Sequence, residues 1–142
     1  MAATVPDAAR AWARGNHPSE AGVELLIFAG KIKNGYPWVH VTLADPISGF
    51  PELAEIDVDE LLDNSGVWSG GEQRLVRIAA SLLGGPAVDL SENLSGLDRD
   101  MLEHVLAAVA HAGGSHEQAD FVSTPDGRYQ FTALPSLYPW PK

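Results

Sequence analysis

The chain has 142 residues, 45% of them apolar, and a formal net charge of −10 at pH 7. One domain of this length buries roughly 68–70% of its unfolded surface, and the lack of cysteine excludes disulfides, thiolate nucleophiles and cysteine-held metal clusters. Nine scattered basic residues against nineteen acidic ones argue against direct binding to nucleic acid or an anionic membrane, because both require clustered Lys and Arg.

Residues 1–21 are rich in Ala, Pro and polar side chains and predict a loosely held arm, with at most a short helix over Asp7 to Arg14. Met1 to Asp7 carries no cationic stretch and leads into no apolar segment, so no signal peptide is expected. The longest apolar run, Val23 to Gly30, contains Glu24 and is too short to span a bilayer, which makes a soluble cytoplasmic protein the expectation. Val23 to Lys33, then Asn34-Gly35, then the alternating Tyr36 to Leu43, predicts a β-hairpin centred on Asn34 with a type I′ turn. Pro37 has no N–H to give a ladder, so the second strand starts at a sheet edge or ahead of the pairing.

Asp45 to Pro51 reads as a loop and Asp57 to Asp63 as a short acidic helix. Ser69 with Glu72 forms a capping box, and Leu75, Ile78, Ala79, Leu82 and Leu83 share one side of the helix that follows, ended by Gly84-Gly85-Pro86. Asp89 with Glu92 starts a shorter helix and Ser95 with Asp98 a longer one, whose apolar stripe is Met101, Leu102, Val105, Leu106, Val109 and Ala112 before Gly113-Gly114. Phe121 to Ser123 and Arg128 to Leu134 flank Pro125-Asp126-Gly127 and predict a second hairpin. Residues 135–142 form a proline and aromatic tail. The expected fold is α+β: one domain over residues 22–134, an antiparallel sheet of hairpins with helices 70–83 and 96–112 packed on one face.

Trp68-Ser69-Gly70-Gly71-Glu72-Gln73, together with Leu97-Asp98, resembles the signature motif and D-loop of ABC ATPases, over residues 69–98. That resemblance implies a helix N-terminus at Ser69, Gly70 and Gly71 able to meet the γ-phosphate of a nucleotide held by another subunit. Glu92 falls near the family's catalytic glutamate. A phosphate loop of the form Gly-x-x-x-x-Gly-Lys-Ser/Thr is missing, since Gly30-Lys31 is followed by Ile32 and preceded by Leu25 at the first glycine's place. Ser91 stands where the metal-binding aspartate belongs, and Thr124-Pro125 where the switch histidine belongs. Residues 67–113 also resemble a group of small actinobacterial proteins, a likeness that implies a standalone domain.

The remaining chemistry-bearing residues form no motif. His104 and His111 are seven apart on one predicted helix, and His116 follows without the spacing of a metal site, so these and His40 are read as solvated or capping residues. Ser69 and Ser81 have no identifiable histidine partner, and no catalytic residue, cofactor or metal is expected. Six carboxylates lie between residues 52 and 63 without one cation: Glu52, Glu55, Asp57, Asp59, Glu60 and Asp63. With Tyr138 and Trp140 they are the candidate interaction residues. The expected function is a non-enzymatic interaction or accessory protein with a protein partner, a basic one or a second copy. The alternatives are the ATPase-like subunit completing a nucleotide site in trans and an acidic mimic of nucleic acid.

Overall fold

A computed structural model describes residues 4–142, and the fold is α+β. Helix α1 (Val5–Ala13) is capped by Thr4, whose hydroxyl accepts the Asp7 N–H at 3.2 Å, and carries Pro6 in its first turn. Helix α2 (His17–Phe28) is capped by Asn16, which accepts the Ser19 N–H at 3.0 Å. The arm expected over residues 1–21 is therefore, across its described part, α1 and the first turns of α2. Ala8, Ala9 and Ala13 are core residues, so the folded body begins well ahead of residue 22.

The hairpin expected around Asn34 is replaced by the second half of α2 and a loop. Two bonds close α2, Gly30 N–H to Ile27 carbonyl (3.0 Å) and Lys31 N–H to Leu26 carbonyl (2.9 Å), with Gly30 at φ +72. This is a Schellman ending, and it consumes the residues that a first strand would have needed. Asn34-Gly35 does turn, but Asn34 keeps a negative φ while Gly35 takes +93, the pattern of a type II rather than a hairpin type I′ turn. The strand after Pro37 is real: β1 (Val39–Thr42) pairs antiparallel with β2 (Leu53–Ile56), Val39 opposite Ile56, across the loop 43–52.

Helix α3 (Val58–Asp63) and a 3-10 turn (Ser65–Val67) lead into α4 (Gly70–Leu82), and α5 (Leu90–Leu94) is capped by Asp89. Helix α6 (Arg99–Ala112) is capped by Asp98 rather than by Ser95, the Asp98 carboxylate accepting the Met101 N–H at 2.8 Å. A 3-10 turn (Ser115–Glu117) follows, then β3 (Ala119–Ser123) and β4 (Tyr129–Ala133), an antiparallel hairpin across the Pro125-Asp126-Gly127 turn. The two hairpins remain separate two-stranded sheets.

Helix α2 is the centre of the body, packed against α1, α4 and α6, while β2 lies on α1. Val23, Leu25 and Leu26 of α2, Leu61, Leu75, Val76 and Val105 are the large side chains with no appreciable exposure. Placing α2 in the middle explains its composition: over residues 21–28, where neighbours lie on several sides, Glu24 is the one polar residue, too few to announce a helical period.

Candidate functional site

The acidic residues of 52–63 occupy different structural positions. Asp57 caps α3, accepting the Glu60 N–H at 3.1 Å, and Asp59 and Glu60 stand in the first turn, where the helix dipole favours negative charge. Glu55 is exposed on β2 opposite His40, Glu52 precedes the strand, and Asp63 ends the helix. Half of this run is thus explained by local helix chemistry.

The start of α4 is closed by its own side chains. Ser69 Oγ accepts the Glu72 N–H at 3.2 Å, the first half of the expected capping box, while Glu72 Oε1 accepts from the Ser69 hydroxyl at 3.1 Å in place of the Ser69 backbone N–H. Glu72 Oε2 meets Lys31 Nζ at 2.7 Å, and Lys31 lies 4.0 Å from the centroid of the Trp68 ring. Gly71 faces Met101 of α6. Lys31, and then Ser69, hold the Glu72 carboxyl below its ordinary 4.5 against an opposing effect of burial. A depressed folded-state pKa stabilises the fold above the unfolded value, and that stability disappears as the pH falls through the folded one. Glu72→Gln is therefore expected to lower stability at pH 7 by under about 1 kcal/mol, the scale of a partly exposed pair. Thermal melts of variant and wild type should converge in acid; a gap that persists unchanged there contradicts the ion-pair origin.

Helix α6 divides its predicted apolar stripe between two faces. Val105, Ala107 and Ala108 are buried and Met101 and Ala112 partly so, whereas Leu102 (38% exposed), Leu106 (43%) and Val109 (57%) point outward. The outward set has i, i+4, i+7 spacing, which makes a continuous ridge along a helix. Tyr138 lines a shallow cleft with Leu102, Leu106, Arg99 and Glu103, so the tail borders this ridge, and its neighbour Leu137 is exposed.

The tail is held at two further points. Ser115 Oγ accepts the Leu137 N–H at 3.2 Å and pairs with Ser136 Oγ at 3.3 Å, while Trp140 Nε1 donates to His111 Nδ1 at 3.4 Å. Tyr138 and Trp140 thus separate: the first edges the outer ridge of α6, the second is half-buried at the end of that helix. The β3–β4 ribbon carries Phe121, Phe131 and Tyr129 on one exposed face, the two Phe rings 4.3 Å apart.

The histidines diverge from their expected isolation. His104 stacks on Phe28 at 3.6 Å and His40 binds the Pro37 carbonyl at 3.1 Å. His111 and His116, however, stack on each other at 4.1 Å, and His17 meets both edge-on. Sequence spacing could not reveal this group, because His17 comes from the first turn of α2 and the other two from the opposite end of the chain. No protein family, curated protein or solved structure compared with this chain matches it.

Proposed function

We propose that the chain is a non-enzymatic accessory protein that works as a symmetric dimer, two copies docking through the outer ridge of α6. The observation that carries this reading is the Leu102–Leu106–Val109 ridge left in solvent on a helix already buried along its other side. A second copy suits it in three respects. With Leu106 near a two-fold axis and the helices antiparallel, Leu102 faces the partner's Val109 and the contact is self-complementary. The same register sets Arg99, the first residue of α6, against the partner's Ala112, the last, where the helix dipole is negative. Finally, α6 carries only Arg99, Asp100 and Glu103 as charged residues besides its histidines, one net negative charge of the chain's ten. The ridge is therefore a place where two acidic molecules meet with little repulsion.

Ser69, Asp57, Asp89 and Asp98 serve as helix caps, which supports a reading without catalysis. Sedimentation velocity from about 1 µM to about 100 µM spans the affinities expected of a modest interface. A shift from monomer to dimer mass is expected. One monomeric species throughout overturns the proposal.

A further inference from the structure

We propose that His17, His111 and His116, with Glu20 and Glu117, form a binding site for one divalent transition-metal ion, zinc being the best fit. The site is independent of the α6 ridge. It joins three segments that share no local sequence: His17 and Glu20 on α2, His111 in the last turn of α6, and His116 and Glu117 in the 3-10 turn below the β3–β4 ribbon. Two overlapping sets of donors converge, Glu20 with His111 and His116, and His17 with His116 and Glu117, the donor atoms of each set all within 4.8 Å of one another. His116 belongs to both.

Donors around a tetrahedral ion at about 2.0–2.1 Å stand roughly 3.3 Å apart, so ligation by either set asks its three side chains to close by about 1.5 Å at most, and a residue of the other set completes the tetrahedron. Side-chain rotation supplies that movement. Pairs within the cluster are already near the required spacing: His111 Nε2 lies 3.1 Å from Glu20 Oε1, and His17 Nε2 lies 3.1 Å from Glu117 Oε2.

A second observation points to a ligand. His116 Nδ1 is buried and has no hydrogen-bond partner among the described residues. A buried ring nitrogen without a partner is costly and rare, and an ion ligated there supplies what the chain does not. The donor chemistry then selects the ion. Imidazole nitrogens with carboxylate oxygens suit zinc, copper, nickel and cobalt, whereas calcium and magnesium prefer all-oxygen sites.

Trp140 adds a readout. An indole N–H can only donate, so its 3.4 Å contact makes His111 Nδ1 an acceptor and places the ring proton on Nε2, directed at Glu20. When the ion takes Nε2, that proton moves to Nδ1, no proton is lost from the ring, and the Trp140 contact is released. Glu20 then changes from acceptor of a histidine proton to ligand.

The test is calorimetric titration of the full chain with zinc chloride, alongside His116→Ala, His111→Gln and Glu20→Gln, with His104→Ala as the control outside the cluster. Circular dichroism of the metal-free variants identifies any that fails to fold, and the remaining ones carry the comparison. One zinc per chain is expected, weakened at least about 100-fold by His116→Ala, beyond the loss usual for a residue that only orients a ligand. His104→Ala should bind as wild type does, and zinc should shift the tryptophan emission of wild type but not that of Trp140→Phe. Flat titration of the folded wild type, or zinc binding that the folded cluster variants leave unchanged, overturns the proposal.

Discussion

Leu106→Glu is expected to abolish the dimer while leaving each monomer folded. Leu106 is 43% exposed and faces away from the core, so the monomer loses little by the change. In the dimer the same substitution acts twice, because the two-fold axis brings both new carboxylates together. Two like charges about 4 Å apart repel by roughly 4 kcal/mol at an interfacial dielectric near 20, and each also loses hydration. Dimer affinity should fall more than about 100-fold, which corresponds to about 2.8 kcal/mol. Light scattering on the eluting peak reads the mass directly. Ile47→Glu, on the 43–52 loop where Ile47 is 97% exposed, should keep the wild-type mass. A Leu106→Glu chain that elutes as a dimer would place the interface elsewhere.

Gly22→Val is expected to destabilise the monomer by about 3 kcal/mol, at the upper end of ordinary overpacking. Gly22 is buried where α2 crosses α4, and a Cβ there would come within 2.9 Å of both the Ala79 carbonyl oxygen and Leu83 Cγ. The leucine can turn aside, but the carbonyl belongs to the backbone of α4 and can move only with the helix. A valine adds two methyl groups to that conflict, and its better helix propensity returns well under 1 kcal/mol. Urea denaturation monitored by circular dichroism measures the difference. Gly66→Ala, at a glycine with nothing within 4 Å of its added carbon, should fall within about 0.5 kcal/mol of wild type. Equal stability of Gly22→Val and wild type would mean that α2 and α4 do not approach this closely.

Where local signals decide structure, the sequence was sufficient. Ser69 with Glu72, Asp89 with Glu92, and Pro125-Asp126-Gly127 mark elements that form at those places, because a cap or a turn involves neighbours in the chain. Helix α2 reads as a strand because Val23 to Phe28 is a short run with Glu24 its one polar residue, equally compatible with a buried strand, and burial on several sides leaves too few polar positions there to show a period. Its boundaries were nonetheless written: Asn16 with Pro18 opens it and Gly30 closes it. Helix α1 reads only as a short helix in a loose arm because its buried face is Ala8, Ala9 and Ala13, small side chains that pack closely but weigh little in a hydrophobic pattern.

The functional features were less legible for a different reason. Leu102 and Leu106 each adjoin an inward residue, Met101 or Val105, so the sequence shows one broad apolar stripe and only the position of α2 decides which edge is covered. The histidine cluster depends wholly on tertiary structure. Glu20 and His111 are 91 residues apart, and nothing near either one indicates the other.

Nuclear Overhauser spectra of a sample mixing isotope-labelled and unlabelled copies, filtered for contacts between the two, test the symmetric dimer most directly. Within one helix Leu102 and Val109 are about 10.5 Å apart along the axis, so a contact between their methyl groups arises only across an antiparallel pair. The expected result is a cross-peak from Leu102 of labelled copies to Val109 of unlabelled ones. A dimeric sample without that cross-peak, or a sample that stays monomeric at the concentration of the experiment, would contradict it.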